Sequence, residues 1–235
     1  MPEQPHEPRR TPLSRDRVLR AAVAFADTAG IEALSMRRLA QDLGVVPMAL
    51  YKHVANKEEL LDGMVEVAFA GIEGGQAPRS DWKSAVRGRI LGARAALLAH
   101  TWAAQVIRSR TSPTPAVLAY LDSVIGMFRA GGFSTDLTHH VMHALGSRVL
   151  GFTEELFDDP ANTSTAPQDD GVQAAAYEAM ARLYPHVTEL ARAVAHDRRS
   201  VVGPGCDDLF EFEFALDLLL DGFDRLHREG WTSTP

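Results

Sequence analysis

The sequence holds a single cysteine, Cys206, so it can close no disulfide on itself, which fits a reducing compartment. As a nucleophile that thiol would need histidine and asparagine or aspartate partners; beside the Gly-Pro-Gly of 203–205 it reads as an ordinary turn residue. No apolar run approaches the roughly 18 residues that cross a bilayer. The opening MPEQPHEPRRTPLSR has basic residues but no apolar core behind them, so it is not a secretory signal, and a cytoplasmic protein without a membrane partner is expected. Also absent are G-x-S-x-G, a Walker glycine loop and H-E-x-x-H, which would build a serine nucleophile, a phosphate cradle or a zinc protease. An enzyme using the histidines and acids of the second half is therefore the remotest reading; no catalytic residue, cofactor or metal is expected. Strand alternation of useful length and internal repeats are missing too.

What the chain does hold is helix. Val18, Ala22, Phe25 and Ala29 recur on one amphipathic face, with Ser14 as N-cap and Gly30 as stop. A second helix is expected over Met36–Leu43, capped by Ser35 and ended by Gly44, and a third from Pro47, where a missing N–H costs nothing. Asn56 and Glu59 form a capping-box pair before a fourth helix that runs through Leu60, Leu61, Met64, Val65, Ala68 and Phe69 to about Ile72. GGQAPRSD, Gly74 to Asp81, is the first clear break. Further helices are read near 82–99, 102–109, 115–130, 135–157, 172–195 (with a break near Pro185) and 208–229. DDPANTSTAPQDDG, Asp158 to Gly171, carries almost nothing apolar and is expected to be a mobile loop. The fold class is all-α. A basic arm covers 1–13, a three-helix helix-turn-helix DNA-binding domain covers 14–73 with its motif at about 35–54, and a helical domain for effector binding and dimerisation covers 74–235.

Charge is unevenly spread. Net charge is −7 and the isoelectric point about 5.7, which argues against nucleic acid along the whole length. Yet Arg9, Arg10, Arg15, Arg17 and Arg20 crowd the start, and Arg37, Arg38, Lys52 and Lys57 follow, while the acids gather late in EELFDD and CDDLFEFEFALDLLLDGFD. A basic face on an acidic body suits a module that meets DNA at one end. In a helix-turn-helix one short helix supports a second that enters the major groove. Ala40, Gly44, Val45, Leu50 and Val54 supply the small residue, the turn glycine and the inward apolar positions. Val46, Pro47, Met48, Tyr51, Lys52 and His53 are left mainly outside. Pro47 and Met48 offer apolar contact to a thymine methyl, Tyr51 a ring and a hydroxyl, and Lys52, His53 and Lys57 can approach phosphates. Ser35 and Arg37 open the supporting helix, whose N-terminal amides suit a phosphate. For Tyr51 and His53 the alternative is bracing the next helix.

G-I-E-A-L-S-M-R-R-L-A-Q-D-L-G-V followed by A-L-Y-K-H-V-A-N-K-E-E-L-L-D, within Ser14 to Ile72, resembles the DNA-binding domain of the tetracycline-repressor family of bacterial regulators. FEFEFALDLLLDGFDRL, Phe210 to Leu226, resembles the end of the ligand-binding domain in the branch that includes the tetracycline repressor. The resemblance implies DNA contacts at Ser35, Met36, Arg37, Pro47, Met48, Tyr51, Lys52, His53 and Lys57. It also implies a homodimer, built from the last helix and that near 135–157, on a palindromic double-stranded operator. Pro47 stands where the tetracycline repressor has a base-reading glutamine, Lys52 where it has tryptophan, and Glu73 where it sets a histidine on its drug. A different operator and a different effector are implied.

For that small-molecule effector, TDLTHHVMHALGSRVLGFTEELF offers His139, His140, Met142, His143, Arg148 and Phe152, with Phe128, and with His100 and Trp102 from earlier in the chain. The last helix is apolar on two sides: Phe212, Leu216, Leu219, Phe223 and Leu226 form one stripe, and Phe210, Phe214 and Leu218 another. The first four are the candidate dimer contacts. The expected function is a homodimeric repressor released by a small molecule. The alternative is a ligand-independent or activating DNA-binding regulator whose second half only dimerises.

Overall fold

In the computed structural model, which describes residues 12–72, 81–151, 178, 181–194 and 208–234, Ser14 opens the first helix, α1 (Arg15–Ala29), by accepting a hydrogen bond from the Arg17 N–H at 3.2 Å. This satisfies one of the amides that a helix start leaves without a partner. Its buried stripe is Val18, Leu19, Ala22, Val23 and Ala26. Val18 and Ala22 of the expected face are buried, but Phe25 is half-buried and Ala29 exposed, so the core face is shifted toward Leu19 and Val23. A 3-10 turn over Ile31–Ala33 leads to α2 (Met36–Asp42), capped by the Ser35 hydroxyl on the Arg38 N–H at 3.2 Å. The turn after α2 closes with Val45 N–H on Ala40 O at 2.9 Å and Gly44 N–H on Gln41 O at 3.2 Å. Gly44 has φ +66°, a left-handed conformation that disfavours any side chain.

The helix α3 is a single turn, Pro47–Leu50, followed by further turns through His53. Asn56 caps α4 (Lys57–Phe69) by accepting from the Glu59 N–H at 2.8 Å. The return bond of the Glu59 carboxylate goes to the N–H of Ala55 at 2.7 Å, one residue earlier than in the standard box. α4 packs against α1 and also against α5 (Trp82–Ala99), α6 (Trp102–Arg108) and α7 (Pro115–Ala130). Then comes α8 (Thr135–Gly151). The later helices are α9 (Pro185–Val194), which starts after a break at Tyr184 in the helical stretch, where the break near Pro185 was expected, and α10 (Asp208–Arg228).

Two compact units result: Met1–His143 with Thr232–Pro235, and Ala144–Trp231. The first therefore joins the expected DNA-binding segment to α5, α6, α7 and the start of α8, because α4 packs against α1 on one hand and against α5, α6 and α7 on the other. The glycine-rich break lies almost wholly outside the described residues, as do the basic arm up to residue 11 and the loop at 158–171. Among the described residues no single helix is long and apolar enough to cross a membrane.

At the centre of the first unit Trp82, Phe128 and Phe133 meet with ring centroids 4.7–5.5 Å apart. Gly131 makes room for them. A Cβ there would lie 2.8 Å from Trp82 Cγ and 2.9 Å from its Cβ, atoms that cannot swing aside. Gly131→Ala is expected to cost about 1–3 kcal/mol by overpacking, seen as a lower melting temperature in circular dichroism.

In the second unit α10 buries Phe212, Leu216, Leu220 and Phe223, while Leu219 is half-buried. Leu209, Phe210, Phe214 and Leu218 are exposed. The stripe nominated for the dimer is thus largely consumed within the protomer, and Leu220 rather than Leu219 continues it. The exposed apolar side is the other one.

Candidate nucleic-acid interface and ligand cavity

Leu39, Ala40, Leu50 and Val54 are all at most 1% exposed, and they lock α2 and α3 together. Leu50 O accepts from His53 N–H at 2.8 Å and from Val54 N–H at 3.0 Å, which holds the turn after α3 in helical form. The outward side is left bare: Val46 is 68% exposed, Met48 70% and Tyr51 45%. Pro47 and Lys52 are exposed beside them, His53 is half-buried, and Lys57 is exposed at the start of α4. Arg37 projects from α2, and Ser35 is half-buried, with its hydroxyl already capping that helix. Met36 departs from the expected set. At 9% exposure its side chain belongs to the core with Leu39, so it cannot reach a base edge.

Among the described residues no carboxylate pairs with Arg37, Lys52 or Lys57. Other cations of the same segment are neutralised: Arg15 lies 3.2 Å from Glu66, and Arg20 2.9 Å from Asp16. Arg37, Lys52 and Lys57 thus lack the carboxylate partner that Arg15 and Arg20 have.

A cavity of about 370 Å³ opens between α7 and α8. Leu121, Ile125 and Arg129 line it from α7, at every fourth residue. From α8 come Thr135, Thr138, His139, Met142 and His143. Three of the expected effector residues, His139, Met142 and His143, thus share one wall. Phe128 does not line it: it points to the opposite side of α7, into the Trp82–Phe133 cluster. Phe152 lies outside the described residues. Arg129, Leu121 and Ile125 were missed, although their spacing of four on a helical stretch was a usable signal.

The His139 and His143 rings stand edge to face, 4.7 Å between centroids. Two imidazoles fall short of the three or four protein ligands of a zinc site, and among the described residues no group of three or more metal-binding side chains forms. His140 turns instead toward Asp136, 3.7 Å away. The Ser233 N–H and hydroxyl each donate to Asp136 at 2.7 Å, holding its carboxyl below the usual range.

Residues 18–64 match the family model "Bacterial regulatory proteins, tetR family", and 74–226 match "Tetracyclin repressor-like, C-terminal domain". The chain belongs to the tetracycline-repressor family. Among its relatives is the HTH-type transcriptional repressor DrrR1 of Streptomyces coeruleorubidus, 30% identical over 91% of this chain and 78% of that protein. The class C tetracycline repressor of Escherichia coli is 31% identical over 67% of this chain and 72% of its own length. Apo ActR from Streptomyces coelicolor has a similar structure, with a TM-score of 0.69 at 25% identity, over 94% of this chain and 99% of that one. ActR in complex with actinorhodin gives 0.68 at 26% identity, over 92% and 98%.

In this tetracycline-repressor family member, His100 and Trp102 are not at the cavity. His100 Nδ1 lies 2.9 Å from Asp27 Oδ1, and the Trp102 indole N–H donates to the same oxygen at 2.7 Å. Gln105 donates to Glu32 at 2.7 Å. Arg110 donates to the Glu58 carboxylate and lies 2.9 Å from Asp62, although that last pair is too poorly aligned to count as a hydrogen bond. Polar side chains of α6 and its flanks thus grip α1, the turn after it and α4. Partners 73 and 75 residues apart in the chain leave no local signal. Trp102 is buried, so Asp27→Ala strands its N–H without an acceptor. A loss of about 1–3 kcal/mol is expected in calorimetric unfolding.

Proposed function

We propose that the protein is a homodimeric cytoplasmic transcriptional repressor that binds a palindromic operator and lets go when a small molecule fills the α7–α8 cavity. The carrying observation is that one compact unit holds both the bare cationic turn around α3 and the cavity, with α6 and its flanks fastened to α1 and α4 between them. Pro47, Met48, Tyr51, Lys52 and His53 read the groove, and Ser35, Arg37 and Lys57 hold phosphates. The repressor DrrR1 and the ActR complex with actinorhodin support the pairing of repression with a ligand. The effector favours a DNA-incompetent arrangement, and by linkage DNA weakens effector binding by the same factor.

Dimerisation uses the exposed side of α10, Phe210, Phe214 and Leu218. A symmetric dimer brings two copies of α3 to half-sites about 34–36 Å apart, or a multiple of that. Phe214→Glu with Leu218→Glu is expected to yield a folded monomer in light scattering, since neither side chain supports the protomer core. A dimer surviving both changes would point to another interface.

The test is to select bound fragments from the host genome, then challenge the complex with metabolites made or exported by the products of neighbouring genes. Enrichment of a palindrome and its release by a metabolite are expected. No enrichment above salt-sensitive background would sink the DNA reading. A ligand-independent regulator remains the second reading, and the open cavity weighs against it: a domain used only for dimerisation has no need of unfilled space.

A further inference from the structure

α1, α2 and α4 each start on a side chain that caps them: Ser14, Ser35 and Asn56 accept from a backbone N–H at 3.2, 3.2 and 2.8 Å. α3 starts on Val46, whose side chain makes no such bond. Valine is among the poorest residues at that position, where serine or aspartate would satisfy an amide. Nor does Val46 serve the core, since it is 68% exposed. The turn itself is closed by backbone, the Val46 carbonyl accepting from the Ala49 N–H at 2.9 Å. A branched apolar side chain thus stands in the open where the fold gains nothing from it. Departures of this kind from local rules gather at functional sites. Pro47 and Met48 follow, also exposed, and of these three side chains only the Met48 sulfur can accept a hydrogen bond, weakly. Arg37, Lys52 and Lys57 are exposed in the same motif, with no carboxylate partner among the described residues. Cations beside an apolar patch match a duplex groove, which is edged by phosphates and carries one kind of apolar group, the thymine methyl.

We infer that Val46 is a specificity-determining residue of this protein, and that with Met48 it selects operators carrying thymine methyl groups, by apolar contact rather than hydrogen bonding. The inference rests on the reading of α3 as the element that enters the groove. Against thymine, each of the two side chains buries a methyl. Against a G·C pair it strips water from the O6 and N7 acceptors of guanine or the N4 donor of cytosine and returns nothing. Discrimination therefore comes as much from the penalty on the wrong base as from the gain on the right one. The two residues do this differently. Valine turns about a single stiff torsion and surrenders little freedom on docking, which suits a fixed register. Methionine is unbranched and adaptable, and fits a methyl whose position shifts with local groove shape.

The experiment uses the full-length protein and the operator recovered by genomic selection, with affinity read by fluorescence anisotropy at fixed salt. Each symmetry-related pair of thymines is replaced in turn by deoxyuridine, which removes the methyl and leaves every hydrogen-bonding group in place. At one or two pairs the loss is expected to be about fifteenfold, roughly fourfold for each buried methyl, and below about twofold elsewhere. At those pairs 5-methylcytosine opposite guanine should bind more tightly than cytosine opposite guanine, because it restores the methyl alone. Val46→Ala should weaken binding to the thymine operator and erase the deoxyuridine penalty at one pair, and Met48→Ala should do the same at another pair or at the same one. Val46→Ser separates recognition from folding: it supplies the missing cap, so the melting temperature should hold or rise while operator affinity falls. A merely structural valine would give the opposite pattern, a lower melting temperature with operator affinity kept, and that result would overturn the inference. So would an operator bound tightly with no deoxyuridine penalty above twofold at any pair, or a penalty that persists undiminished in both alanine variants; in these two cases the DNA reading itself stands. Failure of the unaltered protein to select any operator would overturn both.

Discussion

Alanine at both Tyr51 and Lys52 is expected to lower affinity for the selected operator about a thousandfold, measured by fluorescence anisotropy at fixed salt. Each side chain contributes about 1 kcal/mol at a base edge or phosphate, and a two-fold dimer makes each contact twice, so about 4 kcal/mol is lost in all. Lys52→Ala alone should weaken binding to all sequences alike and flatten the salt dependence by about two phosphates per dimer. Tyr51→Ala should instead relax discrimination between operators. Both residues are exposed and hold up nothing in the core, so stability should move by less than about 0.5 kcal/mol. Undiminished operator affinity in the double variant would show that another surface reads the DNA.

Phe128→Ala should be the most damaging single change to the fold. Phe128 is fully buried and touches both Trp82 and Phe133, at centroid distances of 5.5 and 5.1 Å. Removing a large ring from such a cluster loses its transfer free energy and leaves a hole that the surrounding helices fill only in part, at about 3–5 kcal/mol. For a chain of this size that corresponds to a fall of roughly 10 °C in melting temperature. The same helix carries Ile125 and Arg129 on its other side, so the loss should also slacken the cavity wall. A melting temperature within a degree of wild type would mean that the three rings are not the keystone of the first unit.

Local features were legible in advance. Ser14, Ser35 and Asn56 act as caps because a capping bond spans only three residues and so is written in adjacent letters. Gly44 is equally local, since its left-handed turn needs the one residue without a Cβ. Which face of a helix goes inward was less legible. α1 offered two overlapping apolar stripes, and packing against α4 chose the one through Leu19 and Val23 rather than Phe25 and Ala29. α10 was ambiguous for the same reason, and burial took Phe212, Leu216 and Leu220. Met36 was implied by the family resemblance together with Ser35 and Arg37, yet one step along a helix turns a side chain by about 100°, and that of Met36 is buried. His100 and Trp102 could not have been assigned from their surroundings in the chain. A histidine and a tryptophan at a helix start suit an aromatic ligand as well as they suit an aspartate on a distant helix.

The shared carboxylate of Asp27 also gives the protein a spectroscopic landmark. Only three indole N–H protons exist, on Trp82, Trp102 and Trp231. That of Trp102 points at a carboxylate oxygen 2.7 Å away, which draws its proton resonance downfield. Its magnetic resonance line therefore reports, without label or mutation, whether α6 still holds α1 as DNA or a small molecule is added.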